Sequence, residues 1–245
     1  MRGSERTMSN LKTLLIMALF VSTDLVAVTL NISVSDANGH KVKDAIVYVE
    51  NNGVITQPSA AHATQTPVIM DQIGRQFNPH ILAIRTGQQV HFPNSDSIQH
   101  HVYSFSPTKA FELQLYKSND TQIMQFNDAG VVELGCNIHD WMIGYIFVSP
   151  TRWFAQTNTA GHAKLDLSGM VFSALAKNNA TDIKKDITLR VWHPALDIND
   201  IKHTYTISLV DPKANNDPFP IHLKHTDFSQ YAFPSELDDE FAEYE

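Results

Sequence analysis

The chain has 245 residues, of which 43% are hydrophobic and 18% charged, enough for one large domain or two small ones with buried cores. Its formal net charge is −8, and the sequence lacks the basic clusters typical of nucleic-acid-binding proteins. The single cysteine excludes an internal disulfide and any all-cysteine zinc or iron–sulfur site within one chain.

The first 27 residues have the pattern of a secretory signal peptide. Three basic residues precede an apolar run from Leu14 to Val21, and the small residue Ala27 ends the segment. The run is shorter than the ~20 apolar residues that span a bilayer. An uncleaved membrane anchor is the alternative interpretation, and Met8 is an alternative start. We predict an exported, periplasmic protein whose mature chain has a net charge of −9 and no membrane span.

The rest of the chain alternates apolar and polar residues with a period of two, which is typical of β-strands. Only Met170–Ala176 and parts of 180–186 favour short helices. Short strands separated by turn residues predict an all-β chain containing a Greek-key β-sandwich. The predicted strands are Val28–Val34, Ala45–Val49, Ile81–Arg85, Gln89–Pro93, His101–Phe105, Phe111–Leu115, Ile123–Phe126, Val131–Gly135, Ile143–Val148, Phe154–Thr157, Ala163–Leu167, Ile187–Trp192 and Thr204–Leu209.

The cysteine belongs to a compact group of candidate metal ligands. Cys136, His139 and Met142 follow one another at intervals of three, with His139 and Met142 expected on a loop between two strands, and His100 and His101 stand at the end of an upstream strand. One thiolate, two imidazoles and a distant thioether form the ligand set of blue-copper electron-transfer sites. Zinc accepts the same donors but has no redox use for a thioether. The group therefore predicts one type 1 copper ion per chain.

On these residues the chain resembles the cupredoxin (blue copper) family, of the amicyanin and plastocyanin type. Cys136-x2-His139-x2-Met142 has the spacing of the short ligand loop of amicyanin. The resemblance implies a cupredoxin β-sandwich in which His100, Cys136 and His139 bind copper in one plane and Met142 is the axial ligand.

Two positions depart from the cupredoxin pattern. Asn94 begins a segment similar to the one that carries the first ligand histidine, but His101 stands where the family has an asparagine. His101 is therefore a second-sphere group or a competitor of His100 for the metal. Asp140 stands where amicyanin has proline, and it is a candidate hydrogen-bond partner of His139.

The resemblance extends to periplasmic proteins described as methylamine-utilisation-like, over most of residues 68–194. It rests on six short motifs: Met70-Asp71-Gln72, Phe77-x-Pro79, Phe92-Pro93-Asn94, Tyr103-Ser104-Phe105-Ser106, Gly135-Cys136-Asn137-Ile138-His139-Asp140 and Arg190-Val191-Trp192-His193-Pro194.

A second, smaller sandwich is expected around the copper unit. Residues 34–47 look like the opening of a transthyretin-like (carboxypeptidase-regulatory-like, immunoglobulin-like) sandwich, and residues 157–161 look like its next hairpin. We predict that the cupredoxin unit is inserted between these two parts. The alternative makes residues 28–50 extra cupredoxin strands. The predicted divisions are 1–27 (signal peptide), 28–52 (first strands of the discontinuous sandwich), 66–149 (cupredoxin domain), 150–228 (remainder of the sandwich) and 229–245 (acidic tail, either a frayed terminus or a docking segment).

These features predict a periplasmic carrier of single electrons between redox proteins. His139, beside Ile138 and Trp141, is the predicted electron port, because its ring edge can reach the surface within an apolar patch. The negative charge favours a basic redox partner such as a c-type cytochrome. A closed ligand set predicts no enzyme activity. Two alternative functions are consistent with the same residues. One is copper binding and delivery, and the other is a metal-free scaffold or interaction module in which these residues serve only as packing.

Overall fold

The computed structural model describes residues 29–50, 67–116, 120–168, 170, 185–196, 203–209, 217–224 and 228, and none of these lies in a helix. The all-β fold class and its β-sandwich architecture are therefore confirmed. The strands are β1 (Thr29–Ser35), β2 (Ile46–Val49), β3 (Val68–Ile69), β4 (Asp71–Ile73), β5 (Gln76–Asn78), β6 (Ile81–Arg85), β7 (Gln88–Pro93), β8 (His100–Ser104), β9 (Phe111–Tyr116), β10 (Thr121–Phe126), β11 (Gly130–Cys136), β12 (His139–Ser149), β13 (Phe154–Gln156), β14 (His162–Asp166), β15 (Lys185–Trp192), β16 (His203–Leu209) and β17 (Phe219–His222).

One sandwich, which we call the site sandwich, is built from the middle of the chain. Its larger sheet has the order β6-β12-β11-β8-β9, and its smaller sheet has the order β10-β7-β3. Alternate residues of the facing strands point inward and form a core that includes Phe92 and Phe126, and Phe77 of β5 packs into the same core. Cys136 and Met142 belong to the same core.

The second sandwich, which we call the flanking sandwich, joins the two ends of the described chain. Its sheets have the orders β14-β1-β17 and β13-β2-β15-β16. Strand β1 pairs with β14 so that Ile32 faces Ala163, and β2 pairs with β13 so that Ile46 faces Gln156. Strands before residue 51 thus share sheets with strands after residue 150, as an inserted site sandwich requires. The exact domain boundaries stay a prediction.

An aromatic cluster joins the two sandwiches. Tyr48 and Trp192 of the flanking sandwich enclose Phe147 of the site sandwich, with ring centroids 5.1 and 5.3 Å away. Ile46 and Ile81 complete this junction cluster, and all five side chains are buried. Phe147 lies on the outer face of the larger sheet, so the junction covers one end of that face.

The structure corrects the sequence predictions at several places. His139 and Met142, expected on a loop, lie in β12, which begins at His139, four residues before the predicted start at Ile143. The short hairpin β4–β5 and strand β17 were not predicted. Strand β15 begins at Lys185, inside the segment 180–186 that favoured a helix. The signal peptide, residues 171–184 and the acidic tail lie outside the described residues. No helix in the described part of the chain could span a membrane.

The junction cluster predicts a large difference between two phenylalanines. Phe147→Ala removes a buried ring from a cluster with four other buried side chains and is expected to lower the free energy of unfolding by about 3–5 kcal/mol. Phe105→Ala is the matched control, because that ring is 84% exposed, and its effect is expected within about 0.5 kcal/mol. Urea unfolding measures both, and equal losses would contradict a buried junction.

Candidate metal centre

Three neighbouring strands of the larger sheet bring the candidate ligands together. Strand β11 pairs on one side with β8, where Cys136 faces Val102, and on the other with β12, where Cys136 faces His139. The register shifts between Gly135 and Cys136, so a local irregularity redirects the end of β11. Gly135 leaves room for a ring on the outer face, since a Cβ there would lie 2.6 Å from Cζ of Tyr103.

The thiol lies between two imidazoles. Cys136 Sγ is 3.6 Å from Nδ1 of His100 and 3.5 Å from Nδ1 of His139. The three candidate ligand atoms all lie within 4.8 Å of one another, and His100 and Cys136 are buried. One soft sulfur and two imidazole nitrogens fit copper, which prefers this donor set. Of the sequence-predicted ligands, the structure brings these three together.

Asp96 orients the upstream imidazole. Its Oδ2 lies 2.7 Å from Nε2 of His100, and its two oxygens also accept hydrogen bonds from the backbone N–H groups of Gly74 and Arg75. Because a carboxylate only accepts, Nε2 of His100 carries a hydrogen and donates it. The other ring nitrogen, Nδ1, is left facing the sulfur, where a ligand atom is needed.

The protonation states of the metal-free group are coupled. Burial disfavours the charged imidazolium, but the contacts with Cys136 and Asp96 outweigh it and raise the pKa of His100. Burial also disfavours the thiolate, yet the hydrogen bond with His100 and the backbone N–H groups of His101 and Ile138 lower the pKa of Cys136. Both shifts move the pair toward a thiolate beside an imidazolium, and the thiolate is the sulfur form that binds metals.

The downstream imidazole lies at the surface of the group. His139 is partly exposed, and its ring centroid is 5.4 Å from that of Trp141. Burial, the charge of His100 and the charge of Arg75 lower the pKa of His139, which favours its neutral, ligating form. Trp141 and Ile138 are 56% and 48% exposed, so an apolar surface surrounds this ring.

The remaining predicted site residues have different surroundings. Met142 is buried in the same core as Cys136, and its role as an axial ligand stays a prediction. His101 faces away from the thiol: its Nε2 is 2.7 Å from Glu112 Oε1, a close contact without hydrogen-bond geometry. The geometry thus places His100, and not His101, in the ligand group.

Asn94 and Asp140 also differ in what they contact. The amide of Asn94 donates to the carbonyl oxygens of Ile98 and Tyr116, which holds the segment before His100. Asp140 is exposed, and within the described residues no hydrogen bond joins it to His139. The predicted influence of Asp140 on the site stays a prediction.

Sequence reasoning missed three groups around the site. Asp96, Gln72 and Tyr116 contact the residues that hold His100, but none has a spacing typical of a metal ligand. The only available signal was that Asp96 precedes His100 by four residues. Gln72 and Tyr116 are 44 residues apart, so only the fold brings them together.

Structural comparison gives amicyanins as similar chains. They include a reduced tryptophan-to-tyrosine variant and a reduced Cu(I) proline-to-glycine variant at pH 4, each 20% identical, covering 36% of this chain and 88% of theirs, with a TM-score of 0.33. A Cu(I) methionine-to-glutamine variant is 19% identical and covers 34% of this chain and 82% of its own, with a TM-score of 0.32. No protein-family model matches the sequence, and no curated protein matches it.

The coupled protonation predicts an acidic thiol in the metal-free protein. Because the folded-state pKa of Cys136 is lowered, its thiolate is expected to persist below the pH at which an ordinary cysteine is protonated. The ultraviolet absorbance of the thiolate during a pH titration measures this. His100→Gln is expected to raise the pKa of Cys136, whereas the control His101→Gln is expected to leave it unchanged. Equal shifts in the two variants would contradict the assignment.

Proposed function

We propose that the protein is a type 1 copper protein that carries single electrons between redox proteins. The observation that carries this proposal is the group formed by His100, Cys136 and His139, with a buried thiol between two imidazole nitrogens. The buried Met142 thioether in the same core is the candidate for the long axial contact. One copper ion per chain follows from one such group among the described residues.

The chain's own residues would hold this site in one geometry. When bound, copper supplies the one-electron change between Cu(I) and Cu(II). Cys136 provides the thiolate, and Asp96 keeps Nε2 of His100 protonated so that Nδ1 is available as a ligand. All three donors lie on paired strands of one sheet, which restrict their movement more than loops would. Little rearrangement would then accompany each electron transfer.

The exposed surface around His139 is the proposed route for electrons. Trp141 and Ile138 expose apolar surface on either side of this ring, which a partner could cover and dehydrate. The chain's net charge of −8 would attract a basic redox partner, such as a c-type cytochrome, over a distance. We propose that the protein works in the periplasm and catalyses no reaction of small substrates.

Adding Cu(II) to the purified protein tests the proposal directly. An intense visible thiolate-to-copper absorption is expected, because the Cys136 sulfur lies between the two imidazoles. Cys136→Ser is expected to abolish the band and is the matched control, since hydroxyl replaces thiol in the same volume. Copper binding without this band would favour copper delivery, and no copper binding would leave only a scaffold function.

The axial assignment predicts a change in reduction potential. Met142→Gln exchanges a soft thioether for a harder amide, which favours Cu(II) and should lower the potential measured by voltammetry. Met124→Gln is the matched control, since Met124 packs at the edge of the same core on strand β10. If neither substitution changes the reduction potential, Met142 is excluded as a ligand.

A further inference from the structure

Gln72 is a fully buried amide beneath the segment that leads to His100. It lies on β4, with a side chain that is 0% exposed. Its Nε2 donates to the carbonyl oxygen of Pro93 at 2.9 Å and to the hydroxyl of Tyr116. Its Oε1 accepts no hydrogen bond from any described residue.

The unpaired oxygen argues against a purely structural role for Gln72. Burying an amide oxygen without a donor costs free energy, and a methionine of similar length would fill the space without that cost. What glutamine provides and methionine lacks is a pair of directed hydrogen bonds from Nε2. The role of Gln72 therefore depends on the two groups that accept these hydrogen bonds, the Pro93 carbonyl oxygen and the Tyr116 hydroxyl.

Both partners of Gln72 lie beside His100. Pro93 ends β7 and begins the connection to β8, whose first residue is His100. Tyr116 lies opposite His100 in the pairing of β8 with β9. The amide of Asn94 links the same two places, because it donates to the carbonyl oxygen of Tyr116 and to that of Ile98. Gln72 thus donates to the backbone at the start of the segment that leads to His100 and to the side-chain hydroxyl of the residue paired with His100.

The rest of the β4–β5 hairpin binds the same connection. The backbone N–H of Ser95 donates to the carbonyl oxygen of Gln72 at 3.1 Å, and the Ser95 hydroxyl donates to Asp71 at 2.8 Å. At the hairpin tip, backbone N–H groups of Gly74 and Arg75 donate to Asp96, which also accepts from His100. The hairpin therefore reaches the imidazole through Asp96 and supports its backbone through Gln72.

We propose that Gln72 is a positioning residue for the metal site, acting on His100 through Pro93 and Tyr116. The proposal rests on the proposed copper function only for the metal-binding consequence. The positioning of the His100 ring is a property of the metal-free protein. The hairpin β4–β5 is thus a structural part of the site although it supplies no ligand.

Three variants test this inference. Gln72→Met removes both directed bonds, Tyr116→Phe removes one of them and keeps the ring, and Gln89→Met is the control with an exposed glutamine on β7. The first variant is expected to weaken copper binding about tenfold and to shift the visible copper band. Tyr116→Phe should have a smaller effect of the same kind, and the control none. In the double variant the two effects should be less than additive.

A second measurement does not depend on copper. In the metal-free protein, nitrogen-resolved NMR reports exchange of the His100 Nε2 hydrogen that is donated to Asp96. We expect this hydrogen to exchange faster in Gln72→Met and in Tyr116→Phe. We also expect both variants to unfold at midpoints like that of the Gln89→Met control. Unchanged exchange in both variants would overturn the proposal, whatever the copper measurements show.

If the original protein binds no copper, the proposed function fails and the exchange rates still decide this inference. If Gln72→Met does not fold, Tyr116→Phe decides it.

Discussion

The candidate site depends on the pairing of β11 with a strand on each side. Cys136 ends β11 opposite Val102 of β8 and opposite His139 of β12, so strand pairing places the thiol between the two strands that carry the imidazoles, and Asp96 orients the His100 ring. The register of the β11–β12 pairing shifts just before Cys136. The donor geometry is consequently a property of the sheet, and little ordering remains for a bound metal to impose.

Such a group is costly unless its charges are compensated. A buried thiolate and a buried imidazolium each lose hydration, and their mutual attraction offsets only part of that loss. Here the carboxylate of Asp96 accepts from His100, and backbone N–H groups near Cys136 stabilise the sulfur, so both pKa values move toward the charged pair. The hairpin of β4 and β5 contributes indirectly, because the backbone N–H groups of Gly74 and Arg75 donate to the Asp96 carboxylate.

The sequence was sufficient for the features that depend on short-range patterns. A period of two over most of the chain predicted the all-β class, and the motif analysis named His100, Cys136 and His139, whose candidate ligand atoms the structure brings together. The sequence did not predict contacts between residues that are far apart in the chain. The contacts of Gln72 with Tyr116 join residues 44 positions apart. The alternating pattern around Phe147 and Trp192 predicts strands, but it does not show whether these two side chains are exposed or lie at an interface.

The position of the junction explains how a second sandwich and an accessible site coexist. Strand β12 has 11 residues, with His139 at its beginning and Phe147 near its end. Eight rises of ~3.3 Å place these two residues about 26 Å apart along the strand. The flanking sandwich covers the outer face at Phe147 and leaves Trp141 and Ile138 exposed beside His139. Because the same continuous strand carries both regions, the packing that orients the flanking sandwich also fixes its orientation relative to the exposed surface beside His139.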